Sequence, residues 1–364
     1  MNIPDLLHLA SIPGIGAQRL RQLINYFKSP TAVLSASPIE LIAVEGIEKK
    51  LASAIAHTSR NQQFIDDQLS RLNKVNGTLL TLWDDAYPEL LKKIYDPPPI
   101  LFVKGTLTAA DKFSLAVVGT RRPTQYGKLT AEQFGHTLAE NSITLVSGLA
   151  RGIDTIVHNS ALQKNGRTIA VIGSSLDIMY PKENTALAER IEASGAVVSE
   201  FFMGTKPDPG NFPRRNRIIS GMSLGTLLIE SDLDGGAMIT AEFANDQGRE
   251  VFCIPGNITQ QFSRGTNKLI QEGRAKLVQS VDDMFEELQV PLRPLLHITH
   301  QQPLPALTMF EQKLVDVLSH EPLHIDNIAE HANFSTSDAL VYLLSLEFKG
   351  VVRQLAGKMF IKIL

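Results

Sequence analysis

The sequence contains a single cysteine among its 364 residues. One thiol forms no disulfide within the chain and cannot supply a cysteine-rich zinc site. Cys253 lies in the apolar segment EVFCIPG, which is typical of a buried strand, so we expect a small core residue there. The sequence therefore gives no indication of a disulfide-stabilised or zinc-dependent fold.

Long apolar segments and a large excess of one charge are also lacking. No run approaches the ~18 residues that a membrane span requires, and the N-terminus has no basic segment followed by a long apolar stretch. The formal net charge is −3 and the pI about 6.3, which excludes a protein coated in positive charge but not a local basic groove. We therefore expect a cytoplasmic protein that does not associate with membranes.

Familiar nucleotide-binding and catalytic motifs are absent. No G-x-G-x-x-G opens the first helix of the α/β segment, and the Gly-Lys pair in YGKL lacks the other residues of a phosphate-binding P-loop. No Ser-His-Asp or Cys-His arrangement is recognisable either. On these grounds we expect neither a cofactor nor a metal site.

Composition and periodicity divide the chain into four parts. Residues 1–75 have apolar positions at helical spacing around a Pro-Gly-x-Gly turn, the pattern of a helix-hairpin-helix unit. Residues 76–288 alternate strand-like and helix-like runs, residues 289–306 are proline-rich and predict a linker, and residues 307–364 predict three helices followed by a hairpin at Ala356. This order indicates a helical domain, an α/β domain and a winged-helix-like domain.

The two end modules carry weaker functional signals. In IPGIGAQR, Gly14 and Gly16 permit a tight hairpin whose amides can hold a phosphate, but a single degraded pair of such motifs favours a role in packing. The third helix of the C-terminal module is rich in Ser, Thr, Asp, Leu and Tyr, whereas helices that read DNA bases present Arg, Lys, Asn or Gln. We therefore favour a packing or protein-contact role for that module.

The central segment predicts a parallel sheet that is covered by helices on both faces, because apolar β-branched runs alternate with helix-like segments. The predicted strands are LAVVG (115–119), ITLVSG (143–148), TIAVIG (168–173), GAVVSE (195–200), LGTLLIE (224–230) and EVFCIPG (250–256). In open α/β sheets the ligand site lies beyond the carboxyl ends of the strands. The unusual residues of this sequence fall at those ends.

Four stretches at the predicted strand ends combine glycines, cations and aromatic rings. They are VVGTRRPTQYG (117–127), VSGLARGID (146–154), VIGSSLDIMYPKEN (171–184) and NFPRRNRIISGMS (211–223). Cations follow a phosphate backbone and rings stack on bases, so this combination favours single-stranded nucleic acid over a mononucleotide. The alternative is an arginine cluster that is paired internally. Candidate partner carboxylates are Asp154, Asp177, Glu200 and Glu230.

The stretch NFPRRNRIISGMS holds three arginines within four positions. Arg214 and Arg217 are three apart on a predicted helix and can share one side of it, and Phe212 offers a base a stacking face. Arg215 is expected to face elsewhere and to matter least of the three. The stretch thus predicts one wall of a groove for a nucleic-acid backbone.

Together these stretches resemble DNA-processing protein A (DprA, also called Smf), a bacterial family of single-strand-binding recombination mediators. Two further stretches, GGAMITAEFANDQGREVFCIPGN and SRGTNKLIQEG, resemble the same family. The resemblance covers residues 110–288 and implies an extended Rossmann fold. The helical N-terminal domain (helix-hairpin-helix or SAM-like) and the winged C-terminal domain match a common layout of that family.

The resemblance implies a protein without catalytic activity that binds single-stranded DNA without sequence preference. It further implies a homodimer that loads the RecA recombinase onto strands coated by single-strand-binding protein, notably in natural transformation. Matching motif positions imply DNA contacts for Arg121 in the Gly-Thr-Arg motif and for Lys182 after Tyr-Pro. The other positions with an implied DNA contact are Ser147, Gly148, Arg151, Gly173, Phe212, Arg214, Asn216 and Arg217. The NKLIQEG segment lies where the family places dimer and recombinase contacts.

Two other functions stay open. The Gly-Thr that precedes Glu230 is weakly similar to the loop before the catalytic glutamate of lysine-decarboxylase-like enzymes, which hydrolyse nucleotides, but the Pro-Gly-Gly of that loop is absent. Glu230 would be the acid in such an enzyme, or would otherwise orient an arginine such as Arg217. A structural scaffold for protein partners is the remaining alternative.

Overall fold

The computed structural model describes residues 1–289, 292, 307–319, 322–355 and 357–362. The chain forms two compact units, Met1–Ile298 and Thr299–Leu364. The predicted linker at 289–306 lies almost entirely outside the described residues, and so does Ala356 of the predicted C-terminal turn. The predicted domain limits stay predictions.

Six short helices open the chain. They are α1 (Ile3–Ser11), α2 (Ala17–Phe27), α3 (Pro30–Ser35), α4 (Pro38–Ile42), α5 (Lys49–His57) and α6 (Gln62–Lys74). Gly14 turns the hairpin between α1 and α2 with a φ of +92°, a left-handed conformation that favours glycine. Arg19 donates hydrogen bonds to the carbonyl oxygens of Gly14 (2.8 Å) and Gly46 (3.1 Å) and so joins the two hairpins. The predicted helix-hairpin-helix unit is confirmed.

A nine-stranded sheet follows. Its strands are β1 (Thr78–Thr81), β2 (Ile100–Gly105), β3 (Ser114–Val118), β4 (Thr144–Ser147), β5 (Thr168–Val171), β6 (Ala196–Ser199), β7 (Gly225–Leu228), β8 (Glu250–Cys253) and β9 (Lys276–Leu277). Strands β3 to β8 confirm the six predicted strands. The sequence pattern missed β1, β2 and the two-residue β9. Strand β2 pairs antiparallel with both β1 and β6, whereas the other neighbouring strands of the sheet are parallel.

The strand order is β1-β2-β6-β5-β4-β3-β7-β8-β9. Strand β3 is therefore the point of reversal, with β4 to β6 on one side and β7 to β9 on the other. The helices of this segment are α7 (Glu89–Lys92), α8 (Gln125–Glu140), α9 (Ile153–Gln163), α10 (Thr185–Ser194), α11 (Asn211–Gly221), α12 (Gly236–Asp246), α13 (Arg264–Gln271) and α14 (Val281–Glu287). A reversal leaves a crevice at the carboxyl ends of the central strands, because the connections diverge to opposite sides.

The N-terminal helices pack on this sheet. Leu6 of α1 and Leu23 of α2 belong to the same hydrophobic core as Phe102 of β2 and Val197 of β6. The shared core removes the apolar faces of the short helices from water, which helices of this length need for stability. The helical segment and the sheet consequently form a single compact unit.

The second unit has the order of a winged helix. It consists of α15 (Met309–Val317), β10 (Leu323–His324), α16 (Ile325–Ala332), α17 (Thr336–Phe348), β11 (Val352–Leu355) and β12 (Met359–Lys362). Leu314, Leu343 and Phe360 form the centre of its core. The three predicted helices and the hairpin are confirmed, and β10 joins the hairpin as a third strand.

No helix in the described part of the chain is both long enough and apolar enough to cross a bilayer.

Glu311 ties the first and third helices of the winged-helix unit together. Its carboxylate accepts hydrogen bonds from Lys349 Nζ (2.7 Å), Thr308 N (2.7 Å) and Ser345 Oγ (2.7 Å), and its side chain is 3% exposed. The Lys349 ammonium, with the Thr308 amide, lowers the pKa of Glu311 from 4.5 to about 2. The carboxylate is thus favoured in the folded state over the unfolded state.

We expect Glu311→Gln to reduce the stability of the winged-helix unit at neutral pH by about 1.5–3 kcal/mol, the value of hydrogen bonds to a charged group. The lowered pKa of Glu311 contributes fully to the stability of the folded unit above pH 4.5, and this contribution is lost as the pH falls towards 2. Hydrogen exchange of residues 309–317 in the full chain measures the free energy of opening at each pH. The wild type and variant should differ at pH 7 and converge near pH 2, and a difference that persists there would contradict the assignment.

Candidate nucleic-acid interface

A cleft of about 790 Å³ opens at the strand-order reversal. The loop after β3 and the start of α11 form two of its sides, and the loop after β4 lines its floor. Residues 235–240, which follow β7, form a further wall with Gln261 and Phe262. Of the predicted positions, Arg121, Phe212 and Asn216 line this cleft, and Gly148 and Arg151 line a small recess that also contacts Arg121. The cleft lies where the sequence analysis predicted a binding site.

Two aromatic rings and an arginine meet in the cleft. The Arg121 guanidinium carbon lies 5.7 Å from the centroid of the Phe212 ring, and the ring of Tyr180 lies 5.6 Å from Phe212 at an angle of 44°. Gly173 packs beneath Phe212, where a Cβ would approach the ring to 2.7 Å. Gly173 therefore supports the ring from behind, and a larger residue would displace Phe212.

Arg215 is placed differently from the sequence expectation. Instead of facing away, it lines the cleft and is only 5% exposed. Its Nη1 donates to the carbonyl oxygen of Gly148 (2.7 Å) and its Nε to Asn216 Oδ1 (3.3 Å). Burial lowers the pKa of Arg215 to about 10, which Asp154 opposes, so the guanidinium stays charged at neutral pH. The cleft thus has a permanent positive charge at its floor.

Two backbone amides of the loop after β4 are already engaged by a carboxylate. Asp154, in the first turn of α9, accepts hydrogen bonds from the backbone nitrogens of Gly148 (3.1 Å) and Ala150 (3.3 Å). Burial raises the pKa of the Asp154 carboxyl, and the Arg215 charge acts against that rise. Ser147 is fully buried and donates to the carbonyl oxygen of Val117 (2.7 Å). The expected anion seat at Ser147 and Gly148 is therefore occupied by a side chain of the protein.

Arg214 and Arg217 share one side of α11, as predicted, and both turn to Glu200. The side chain of Glu200 is 3% exposed and lies 2.5 Å from Arg217 Nη2 and 3.3 Å from Arg214 Nε. Arg217 is buried and also donates to the carbonyl oxygen of Asp96. The structure places Arg217 inside the protein rather than at the cleft, whereas Arg214 stays half-exposed.

Three further predicted positions differ in burial and pairing, and one of them, Lys182, lines neither the cleft nor the recess but directly follows Pro181 of the recess. Arg151 is exposed and paired with Glu183. Asn216 is buried, and its amide donates to the carbonyl oxygen of Gly236 (3.2 Å), which joins α11 to the wall after β7. Lys182 is exposed, and no ion pair involves it within the described residues. Of these three side chains, Lys182 can contact a phosphate without first giving up an ion pair to a described residue.

Glu230 does not orient an arginine. Its carboxylate accepts hydrogen bonds from the amide (2.9 Å) and the hydroxyl of Thr124 and so fixes the start of α8. Gly127 leaves room for this carboxylate, since a Cβ there would approach it to 2.2 Å. His158, a buried neighbour of the strand-end stretches, has a pKa lowered to about 3 by burial. Neither group lines the cleft, so the proposed enzymatic acid lies apart from it.

The sequence analysis missed the wall of the cleft formed by Gly235, Gly236 and Gln261. The first two lie in GGAMIT, where a Cβ on Gly235 would approach Ser231 Oγ to 2.2 Å, but glycines carry no charge or ring that would have marked them. The role of Asp154 had a signal, since an acidic residue in the first turn of a helix commonly accepts backbone amides. Within the described ranges, no group of three or more His, Cys, Asp or Glu is arranged to hold a metal ion.

The fold and the site define a Rossmann-like α/β protein whose strand-order reversal carries a cleft lined by cations and aromatic rings. Family models agree with each part of the chain. The family described as DNA recombination-mediator protein A matches residues 78–289, a DprA winged helix domain matches residues 299–358, and a SAM-like helix-hairpin-helix tandem matches residues 6–58. The chain belongs to the DNA-processing protein A (DprA/Smf) family.

Individual relatives support this assignment. Protein Smf from Synechocystis is 33% identical over 384 residues, with 96% of each chain covered. The crystal structure of DNA processing protein A from Streptococcus pneumoniae is similar with a TM-score of 0.69 at 35% identity, and covers 79% of this chain and 99% of that one. The Helicobacter pylori protein, whose structure was described for its single-stranded DNA binding mode, gives 0.53 at 30% identity over 59% of this chain and 96% of its own. The predicted fold class is confirmed.

The two cleft arginines should differ sharply in their effect on stability. We expect Arg215→Met to lower the free energy of unfolding by about 3 kcal/mol or more, because it leaves Asp154 buried without its charged neighbour. Arg121→Met should change it by less than about 0.5 kcal/mol, because Arg121 is exposed. Urea denaturation followed by Trp83 fluorescence compares the two variants. Equal destabilisation would show that Arg215 is not the structural arginine of the cleft.

Proposed function

We propose that this protein binds single-stranded DNA in the cleft, without sequence preference, and acts as a recombination mediator that loads RecA. One observation carries the DNA-binding part of the proposal. Arg121 is exposed, has no ion-pair partner among the described residues, and lies against the ring of Phe212 with Tyr180 beside it. A phosphate can approach the guanidinium while a base stacks on a ring, and both contacts are independent of base identity.

The buried arginine supports the same ligand. Arg215 is engaged by the carbonyl oxygen of Gly148 (2.7 Å) beside the Asp154 carboxyl, so it fixes the floor of the cleft before a strand binds and leaves the phosphates to the exposed cations. The cleft is open along the sheet edge, with aromatic and cationic residues on its sides, which suits a continuous strand. The Helicobacter pylori relative, described for its single-stranded DNA binding mode, provides further support.

The mediator role has support of a different kind. The matched family is described as a DNA recombination mediator, and a mediator must hold single strands and contact the recombinase at separate surfaces. The edge strand β9, next to the NKLIQEG segment, exposes Leu277 and leaves one side of the sheet unpaired in the described chain. We propose this edge for the homodimer and for recombinase contact, with single-strand-binding protein as a further partner.

Charge reversal at the exposed cations should weaken DNA binding without harming the fold. We expect Arg121→Glu and Lys182→Glu each to weaken binding to oligo-dT by about tenfold or more, because repulsion replaces attraction at a phosphate. Fluorescence anisotropy of a labelled oligonucleotide at several salt concentrations measures the affinities. The slope of log affinity against log salt should become smaller by about 0.7 for each phosphate that the variant no longer neutralises.

Lys164→Glu provides the matched control. Lys164 follows α9 at the amino ends of the strands, opposite the cleft, and pairs with Glu140. The same change of charge there should leave the affinity and the salt slope close to those of the wild type. If Arg121→Glu and Lys182→Glu bind as the control does, the cleft is not the DNA site.

The mediator role predicts stimulation of RecA. On single-stranded DNA coated with single-strand-binding protein, we expect the wild-type protein to shorten the lag before RecA begins DNA-dependent ATP hydrolysis. Arg121→Glu should restore the long lag because it no longer holds the strand, whereas Lys164→Glu should behave as the wild type does. A protein that binds DNA normally but leaves the lag unchanged would contradict the mediator role alone.

A further inference from the structure

A second depression, of about 570 Å³, lies beside the cleft on the same edge of the sheet. It is bounded by the start of α8 and by the loop that follows β8. The short turn at Gln261–Ser263 separates the two spaces. Gln261 lines the cleft, whereas Gln260 and Ser263 line the depression. A strand that leaves the cleft across this turn enters the depression directly.

The chemistry of the depression differs from that of the cleft. None of the described residues that line it is Lys or Arg, and its one carboxylate, on Glu230, is already held by Thr124. The side chains of Gln125 and Gln260 make no hydrogen bond within the described part of the chain, and each offers both a donor and an acceptor. This lining does not attract phosphate and suits a neutral, flat group with polar edges.

Tyr126 supplies a rigid ring in the same space. Its hydroxyl donates a hydrogen bond to the carbonyl oxygen of Pro255 (2.9 Å), while 49% of the residue stays exposed. The ring is thus tethered at its far end with a face open to solvent, which reduces the entropy cost when a ligand stacks on it. Ile258, in the same loop as Pro255, is 88% exposed. The exposed ring of Tyr126 and the amide side chains of Gln125 and Gln260 therefore line the same space.

We propose that this depression is a nucleobase-binding subsite, in which a base of the bound strand stacks on Tyr126 and meets the amides of Gln125 and Gln260. The proposal rests on the proposed function, since it extends the DNA site from the cleft across the end of β8. Arg122 lines the cleft and Tyr126 the depression, so the short segment between them carries a phosphate contact at one end and a base contact at the other.

Tyr126→Ala tests the subsite with the full-length protein and labelled oligo-dT. We expect the affinity for a long oligonucleotide to fall roughly 5- to 150-fold, the range for removal of one stacked base. The salt slope should stay unchanged, because no phosphate contact is removed. An oligonucleotide whose positions are all abasic offers no register with a base at the subsite, so the change from oligo-dT to this strand should weaken binding more in the wild type than in Tyr126→Ala. Tyr126→Phe keeps the ring and loses only its hydrogen bond to Pro255, so its affinity should lie much closer to that of the wild type than to that of Tyr126→Ala.

Tyr95→Ala is the matched control, since Tyr95 is 89% exposed and lies outside both spaces. If Tyr126→Ala binds every oligonucleotide as this control does while Arg121→Glu fails to bind, the subsite is overturned and the proposed function stands. If Arg121→Glu also binds normally, the proposed function itself fails. If Tyr126→Ala keeps its DNA affinity but self-associates less in sedimentation, the depression is a protein contact and the subsite is overturned.

Discussion

The candidate site depends on one buried cation. Arg215 extends from α11 to the carbonyl oxygen of Gly148, next to the carboxylate of Asp154, which itself holds the amides of Gly148 and Ala150. This cluster joins α11 to the segment from the end of β4 to the first turn of α9, two parts of the chain that are more than 60 residues apart in sequence. Because a buried guanidinium and a buried carboxylate are both costly when unpaired, each keeps the other in place. The loops that border the cleft therefore have a fixed floor.

The arginines and lysine of this edge divide into two groups by burial. Arg215 and Arg217 are satisfied inside the protein and hold α11 against neighbouring segments. Arg121 and Lys182 are exposed, and no described carboxylate pairs with either of them before a phosphate arrives. An exposed cation of this kind gains most of its binding energy from the ligand, whereas a paired one must first give up a protein contact. The sequence left internal pairing and DNA binding as alternatives. In the structure, Arg215 and Arg217 have internal partners, and Arg121 is exposed for the proposed contact with DNA.

Sequence pattern predicted the parallel strands and their ends because apolar β-branched runs are local signals. It did not predict that Arg215 is the arginine that fixes the cleft floor, since Arg214, Arg215 and Arg217 are the same residue type in one short stretch. Only the packing of α11 decides which of them turns inward to Gly148. The anion seat expected at Gly148 is different, because Asp154 lies only six residues further on, in the first turn of α9, where an acidic residue is a recognisable signal. A long-range contact such as that of Arg215 with Gly148 has no signature in a single sequence.

A chain with a net charge of −3 can still bind a polyanion when its charges are sorted in space. In this protein the Asp154 carboxylate, which lines the cleft, is engaged by backbone amides, and the Glu230 carboxylate, which lines the neighbouring depression, is engaged by Thr124. The hydrogen bonds partly offset the negative charge of these two carboxylates, whereas the positive charges of the exposed Arg121 and Lys182 face solvent. Next to the cleft, the depression at Tyr126 carries neither kind of free charge. The edge of the sheet thus alternates between a surface for phosphates and a surface for a neutral ring, as the chemistry of a single strand requires.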